Sequence, residues 1–181
     1  MTDRTHPLGT ITRDEHGTSL RFERTLGHPP ERVWRALTES DQLRAWMPCD
    51  IIGAREQGAE VSVVFWDDVA TKYSIEERAL PGRIVTWDPY RTFAWEWDDE
   101  LLTFELTPTD QGTILILTVR LGSKSPGAEL VGAGYHMCLD HLCALVETDD
   151  PPPFIDADPG QLEVRYATLL EDPSGTQTLR R

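Results

Sequence analysis

Apolar residues recur at helical spacing between positions 27 and 48, and this pattern predicts two short helices. Pro30 takes the first helical position, where a missing N–H is harmless, and Glu31 lies in the first turn, where the helix dipole favours an acid. The segment 38–41 then caps a second small helix. Two short helices placed directly after a first strand, ahead of a long all-strand region, predict a cup-shaped protein with an internal pocket.

Alternating apolar and polar positions predict a first strand over residues 19–27 and further strands between residues 50 and 121. The loop 108–112 is typical of a hairpin, with Gly112 placed for a positive φ. Residues 67–81 are ambiguous: 72–77 fit a strand, whereas 76–80 fit a helical turn. Consecutive strands with short connections predict an antiparallel meander.

One long helix is predicted from about Ala128 to Thr148, with a single apolar face. This face carries Val131, Tyr135, Leu139, Leu142 and Val146. The predicted fold class is therefore α+β, with a curved antiparallel sheet wrapped around this helix. We expect a flexible arm over residues 1–18, one domain over 19–148, and a Pro-rich linker, short helix and frayed tail over 149–181.

The charge of the chain narrows the range of partners. With 17 basic and 31 acidic residues, the formal net charge is −14. Such a surface repels nucleic acid and anionic membranes. No apolar run reaches the length of about 18 residues that a membrane helix needs. Cys138 and Cys143 are badly placed for a disulfide and no Cys-x-x-Cys motif is present, so we expect a cytoplasmic protein with reduced thiols.

Six tryptophans suggest an aromatic lining for the predicted pocket. Trp95 and Trp97 lie two residues apart on one strand, hence on one face, and an exposed pair would form a sticky patch. An interior position is favoured, either as plain core packing or as the wall of a cavity for a flat apolar ligand. The expected ligand-binding residues are Trp46, Trp66, Trp87, Trp95, Trp97, Phe104, Tyr135, Leu139 and Leu142.

Polar clusters give little support for catalysis or metal binding. His136, Asp140 and Cys143 could share one helix face, but a metal site needs more converging ligands and a second shell. The acidic pairs 67–68 and 98–100 fit solvated turns. No nucleotide-binding glycine loop or Gly-x-Ser-x-Gly motif is present. We expect no metal, no cofactor and no catalytic residue.

Several segments, taken in order, resemble the START-like or helix-grip (SRPBCC) superfamily, and within it the bacterial branch similar to activators of a heat-shock chaperone ATPase. They are the Pro-Glu-Arg-Val-Trp run at 30–34, Leu-Arg-Ala-Trp at 43–46, the segment 87–97, Thr-Phe-Glu-Leu-Thr-Pro at 103–108, and 134–142. The resemblance implies a pocket between sheet and helix that holds a lipid, polyketide or other hydrophobic molecule.

Three functions remain open at this stage. The first is a monomer or weak homodimer that encloses a hydrophobic molecule for sequestration or transport, without nucleic acid or membrane insertion. A sharper version, implied by the resemblance, is antibiotic self-resistance, by capture or by radical damage at a glycine such as Gly112. The second is an enzyme of the polyketide cyclase or aromatase type, with His136, Asp140 and Tyr135 as best candidates. The third is a chaperone-binding protein.

Overall fold

The molecule is built on one curved sheet, which a computed structural model describes for residues 6–171 and for the short strand 176–178. Eight strands are antiparallel to their neighbours, and the last strand pairs in parallel with the first. The strands are β1 (Thr10–Asp14), β2 (Gly17–Leu26), β3 (Cys49–Ile52), β4 (Glu60–Phe65), β5 (Ala79–Asp88), β6 (Thr92–Trp97), β7 (Glu100–Thr109), β8 (Gly112–Arg120) and β9 (Thr176–Thr178).

In the described part of the chain, five helices accompany the sheet, together with a 3-10 turn at Phe154–Asp156. They are α1 (Pro30–Thr38), α2 (Ser40–Leu43), α3 (Asp67–Lys72), α4 (Ala128–Thr148) and α5 (Gly160–Glu171). The long helix α4 begins and ends where its apolar stripe predicted. The helix-grip α+β architecture is thus confirmed, with the two short helices directly after the first long strand.

The order of the strands follows the meander that the sequence predicted. Across the sheet it runs β3-β4-β5-β6-β7-β8-β2-β1-β9, so among the described strands the steps from β8 to β2 and from β1 to β9 join distant parts of the chain. Side chains alternate between the two faces, which places Trp95 opposite Leu102 and Phe93 opposite Phe104 on the inner face. These residues are buried and belong to the hydrophobic core.

The N-terminal segment is more ordered than the sequence analysis expected. Residues 10–14 form β1, which pairs with β2, and the Ile11 side chain is fully buried. The predicted flexible arm is therefore wrong for residues 10–18; residues 1–5 lie outside the described part. Where a frayed tail was predicted, Thr176–Thr178 forms β9, and residues 172–175 and 179–181 are outside the described part.

The ambiguous segment 67–81 resolves into helix α3, a connection, and the start of β5. Neither the strand at 72–77 nor the helical turn at 76–80 is present, because the helix starts earlier, at Asp67. Two acidic residues in the first turn of α3 suit the positive end of the helix dipole. This segment lies beside the pocket described below.

The chain after α4 packs back onto the domain. Residues 149–159, here called the strap, cross from α4 to α5, and α5 then lies against α4. The Tyr166 ring is fully buried, and its hydroxyl accepts a hydrogen bond from the Gly9 amide at 2.8 Å. One tyrosine thereby joins α5 to the segment that precedes β1.

Candidate functional site

An apolar pocket of about 320 Å³ opens between the first half of α4, the β6–β7 end of the sheet, α3 and the strap. We call it the apolar pocket. A volume of this size is at the lower end of the range typical of small-molecule sites. The residues around it are Pro48, Val69, Tyr73, Ile75, Trp97, Glu100, Pro126, Val131, Gly134, Tyr135, Met137, Cys138, Phe154 and Pro159.

The sheet contributes an aromatic wall. Trp97 ends β6 and lies half-buried at the pocket, next to the buried Trp95 ring at 5.7 Å and the Phe65 ring at 5.6 Å. Rings at such distances pack favourably and hold one another in place. The rings of Trp95 and Phe65 therefore hold the Trp97 indole in position at the pocket.

The helix contributes a wall from which one side chain is missing. Gly134 faces the pocket, and a Cβ built on it would have no neighbouring side chain within 4 Å. Its φ is not in the left-handed region, so the backbone does not require glycine there. Glycine within a helix costs about 1 kcal/mol relative to alanine. The space over Gly134 is part of the pocket itself.

The third wall comes from the strap and the α3 segment, which are tied together by Lys72. Its ammonium donates to the carbonyls of Ile155 at 2.6 Å and Ala157 at 3.0 Å. The strap then brings Phe154 and Pro159 to the pocket. The segment 67–81 thus forms part of the pocket wall.

A carboxylate lies at one end of this apolar lining. Glu100 begins β7 directly opposite Trp97 in the strand register. It accepts hydrogen bonds from the Ser125 hydroxyl at 2.6 Å and the Tyr135 hydroxyl at 3.3 Å. Burial, followed by the charge of Glu100, holds the pKa of Tyr135 well above its ordinary value. Tyr135 is therefore a neutral donor at physiological pH.

Two of the nine predicted ligand-binding residues, Trp97 and Tyr135, line the apolar pocket. Trp95 lies behind Trp97, and four further residues fill the core between sheet and helices instead of facing open space. These four are Trp46, Phe104, Leu139 and Leu142. The interior that the sequence predicted as one enclosed cavity is thus largely filled by side chains, and open space remains at one end.

The other two predicted residues lie elsewhere. Trp87 packs against Trp34 at 5.0 Å, near α1. Trp66 lines an adjoining groove of about 210 Å³, which shares Val69 and Phe154 with the apolar pocket, and the Arg44 guanidinium lies 5.0 Å from the Trp66 ring. Arg44 also forms two hydrogen bonds to Asp68, and this is the main reason that the pKa of Asp68 is lowered. Trp66 therefore serves a polar contact between α2 and α3.

Gly112 lies in the β7–β8 turn and is not among the residues lining the apolar pocket. Its φ of +140° confirms the positive value that the sequence predicted. A Cβ there would lie 2.1 Å from the Leu26 carbonyl oxygen. The turn and this close approach both require glycine at position 112.

His136 and Asp140 face away from the apolar pocket, toward α5 and the N-terminal segment. His136 Nδ1 lies 3.0 Å from the Tyr166 hydroxyl, and its Nε2 lies 3.5 Å from Asp140. Asp140 also contacts His6 at 2.8 Å and the buried Arg24 guanidinium at 3.5 Å. Burial lowers the pKa of His136 to about 4, with Asp140 acting in the opposite direction. This cluster joins four segments of the chain.

The cysteine thiols are poorly suited to nucleophilic chemistry. All three are free and buried. Burial raises the pKa of Cys138 and of Cys143 to about 12, and that of Cys49 well above its ordinary value. A thiol rather than a thiolate is therefore present at neutral pH, and the thiolate is the reactive form. Cys138 contributes apolar surface to the pocket.

Sequence reasoning missed Glu100, which it placed in a solvated turn with Asp98 and Asp99. The alternation along β7 holds a signal that could have found it. Leu102 and Phe104 point inward, so the residue two positions earlier belongs to the same face. The strap residues Phe154 and Pro159 had no such signal, because their place depends on contacts between distant parts of the chain.

Over residues 6–171, no group of three or more His, Cys, Asp or Glu side chains is arranged to hold a metal ion. Within the same range, no helix has the length and apolar character needed to cross a membrane.

Comparisons with known proteins agree with this architecture. A conserved protein of unknown function from Enterococcus faecalis shares 22% identity and a TM-score of 0.74, with 90% of each chain covered. CalU16 from Micromonospora echinospora shares 19% identity and a TM-score of 0.66, covering 91% of this chain and 96% of its own. DynU16, described as a protein in the dynemicin biosynthetic locus, shares 17% identity and a TM-score of 0.60, covering 74% of this chain and 48% of its own.

At these identities the structural matches establish the fold alone, and no protein with a curated description matches the chain by sequence. The family model described as "Activator of Hsp90 ATPase homolog 1-like protein" matches residues 27–147, about two thirds of the chain. This range begins before α1 and ends within α4, so it contains most of the elements that build the pocket. The chain belongs to the Activator of Hsp90 ATPase homolog 1-like family.

Proposed function

We propose that the protein binds a hydrophobic or aromatic small molecule, such as a lipid or a polyketide-like metabolite, in the apolar pocket, for sequestration or transport. The observation that carries this proposal is Gly134. A glycine there weakens α4 by about 1 kcal/mol and gains no backbone conformation or close packing in return. What it leaves is open apolar volume beside Trp97, which is what a ligand of this class requires.

The chemistry of the pocket favours binding over catalysis. Of the three groups considered for a polyketide cyclase or aromatase, His136 and Asp140 belong to the cluster around α5, and only Tyr135 lines the pocket. The pKa of Tyr135 is raised, which makes it a poor general base at neutral pH. An enzyme would have to work with Tyr135 and Glu100 alone.

A chaperone-binding role, suggested by the family description, has less structural support. A docking surface usually carries a contiguous apolar patch. Over residues 6–171 the exposed large apolar side chains are instead distributed over separate parts of the fold: Ile52, Tyr73, Val85, Tyr90, Leu130 and Val164.

The finer proposal is antibiotic self-resistance. It draws on CalU16 and on DynU16, the latter named for a dynemicin biosynthetic locus, which share this fold. Capture in the apolar pocket suits the proposal better than damage at Gly112, because Gly112 lies outside the pocket lining. Gly134 is the glycine that a bound reactive metabolite would meet first.

A titration with the neutral apolar dye N-phenyl-naphthylamine tests the proposal. The dye fluoresces when it enters an apolar site. We expect saturable binding to the wild-type protein and a loss of at least about tenfold in affinity for Gly134→Phe, whose ring would occupy the pocket. Leu130→Phe is the matched control, because Leu130 is exposed on the same helix and outside the pocket lining. Equal dye affinity of Gly134→Phe and the wild type would contradict the proposal.

A further inference from the structure

The carboxylate of Glu100 is held in a fixed position by neutral donors. Ser125 donates to one of its oxygens at 2.6 Å, and Tyr135 donates to the other at 3.3 Å. The Ser125 hydroxyl in turn accepts from the Gly122 amide at 3.0 Å, which fixes the loop before α4. The carboxylate is therefore oriented before any ligand arrives, and its two donors leave its negative charge in place.

No cation of the protein pairs with this carboxylate within residues 6–171. The nearby Lys124 ammonium lies 2.6 Å from Asp98 instead. All other residues that line the apolar pocket are uncharged. A neighbouring groove shares Trp97, Glu100 and Pro126 with the pocket, and its charged lining residues are three acids, Asp98, Asp99 and Glu100, and one base, Lys124, so its edge keeps an excess of negative charge.

A ligand can supply the missing positive charge. An ammonium group at the Glu100 end would form a charge-assisted hydrogen bond to the carboxylate, and the apolar body of the ligand would lie against Gly134 and Phe154. A carboxylate at the same place would meet repulsion from Glu100 and from a chain with a net charge of −14.

We propose that the apolar pocket selects amphiphilic amines: molecules with an apolar body and a protonated amine that pairs with the Glu100 carboxylate. This inference rests on the proposed function, since it assumes that the apolar pocket binds small molecules. It adds the charge class of the ligand, and it excludes free fatty acids and other apolar carboxylates as preferred ligands.

Three probes with one apolar body test the inference: adamantylmethylamine, adamantylmethanol and adamantanecarboxylate. Adamantane does not absorb in the near ultraviolet, so a saturable change in tryptophan fluorescence reports binding without an inner-filter artefact. We expect the amine to bind about tenfold more tightly than the alcohol. The corresponding gain in binding free energy lies between that of an exposed ion pair and that of a charge-assisted hydrogen bond. The carboxylate should bind least tightly. High salt should reduce the advantage of the amine over the alcohol.

Two variants separate a local ion pair from the general acidity of the chain. Glu100→Gln should reduce the amine affinity to that of the alcohol while the alcohol affinity changes less than about twofold. Glu105→Gln removes the same charge from an exposed position of β7, outside the pocket lining, and should keep the preference for the amine.

The outcomes distinguish the two proposals. If the alcohol and the amine bind the wild type equally well, the pocket binds small molecules but the selection of amines is refuted. The same conclusion holds if Glu100→Gln keeps the amine preference. If none of the three probes binds, the small-molecule pocket itself is refuted, and the amine selection with it.

Discussion

Gly132 and Gly134 both lie in α4, yet substitution by alanine should affect the stability of the protein differently at the two positions. Gly134 faces open space in the apolar pocket. Gly132, two residues earlier, faces α5, and a Cβ at this position would lie 2.9 Å from Tyr166 Cδ1 and 3.1 Å from Leu20 Cδ2. Both positions lie inside the same helix, so the gain in helix propensity is shared and the surroundings decide the sign.

The magnitudes follow from these distances. Alanine in place of glycine stabilises a helix interior by about 1 kcal/mol, and Gly134→Ala should keep this gain because nothing opposes the methyl group. For Gly132→Ala, Tyr166 is anchored through its hydroxyl to Gly9 and cannot move freely. Overpacking of this kind costs about 1–3 kcal/mol. The net effect of Gly132→Ala is therefore between about zero and a loss of 2 kcal/mol.

Thermal and urea unfolding, followed by circular dichroism, measure the difference. A change of 1 kcal/mol shifts the Tm of a chain of this size by about 2–4 °C. We expect Gly134→Ala to raise Tm by that amount and Gly132→Ala to leave it unchanged or lower it. The reasoning is refuted if both substitutions stabilise the protein equally, because α5 would then not pack on α4 as described. Destabilisation by Gly134→Ala would show that the space over Gly134 is filled.

Three further predictions concern the rest of the fold. Because the pKa of His136 is lowered to about 4, the unfolded chain binds the proton first as the pH falls, and the free energy of unfolding should decrease by up to about 3 kcal/mol between pH 6.5 and pH 4. Urea unfolding at a series of pH values should show a weaker dependence of this free energy on pH for His136→Gln. The control His16→Gln, at an exposed site, should keep the dependence of the wild type. Gly112→Ala should reduce the free energy of unfolding by at least about 2 kcal/mol, because φ is positive and a backbone oxygen occupies the space that the methyl group needs. Gly17→Ala, where φ is positive but the space is open, should reduce it by only about 1 kcal/mol. Equal losses of stability in thermal unfolding would contradict this difference. Lys72→Met removes both hydrogen bonds to the strap, so amide hydrogen exchange should speed up across residues 154–158 while α4 stays protected. Unchanged exchange in the strap would contradict the role given to Lys72.

Where the fold was predictable, the signal was periodic and local. The apolar stripe of α4 gave its limits, and the alternation at Thr92–Trp97 gave β6. The positive φ of Gly112 followed from its place in a hairpin loop. Such features depend on side-chain direction within one element, which the sequence displays directly.

Which residues line the pocket depends on contacts between distant segments, and the sequence alone does not show these contacts. Trp95 and Trp97 were correctly placed on one inner face, yet only Trp97 reaches open space. The number of tryptophans does not indicate which end of the curved sheet the helices leave uncovered. The sequence analysis therefore assigned Trp46, Trp66 and Trp87 to one shared cavity, which these residues do not line. The strap adds Phe154 to the wall through its own path across the domain.

The central claim is that a small molecule binds over Gly134 and beside Trp97. Proton–nitrogen correlation spectra recorded during a titration with adamantylmethanol test it most directly, because glycine amides and tryptophan indoles are resolved signals. We predict saturable shifts of the Gly134 amide and the Trp97 indole N–H. The Trp46 indole should stay unchanged, since it is buried and bonded to the Ala36 carbonyl at 2.8 Å. Shifts confined to Trp66 and its groove, or no shifts at saturating probe, would contradict the account.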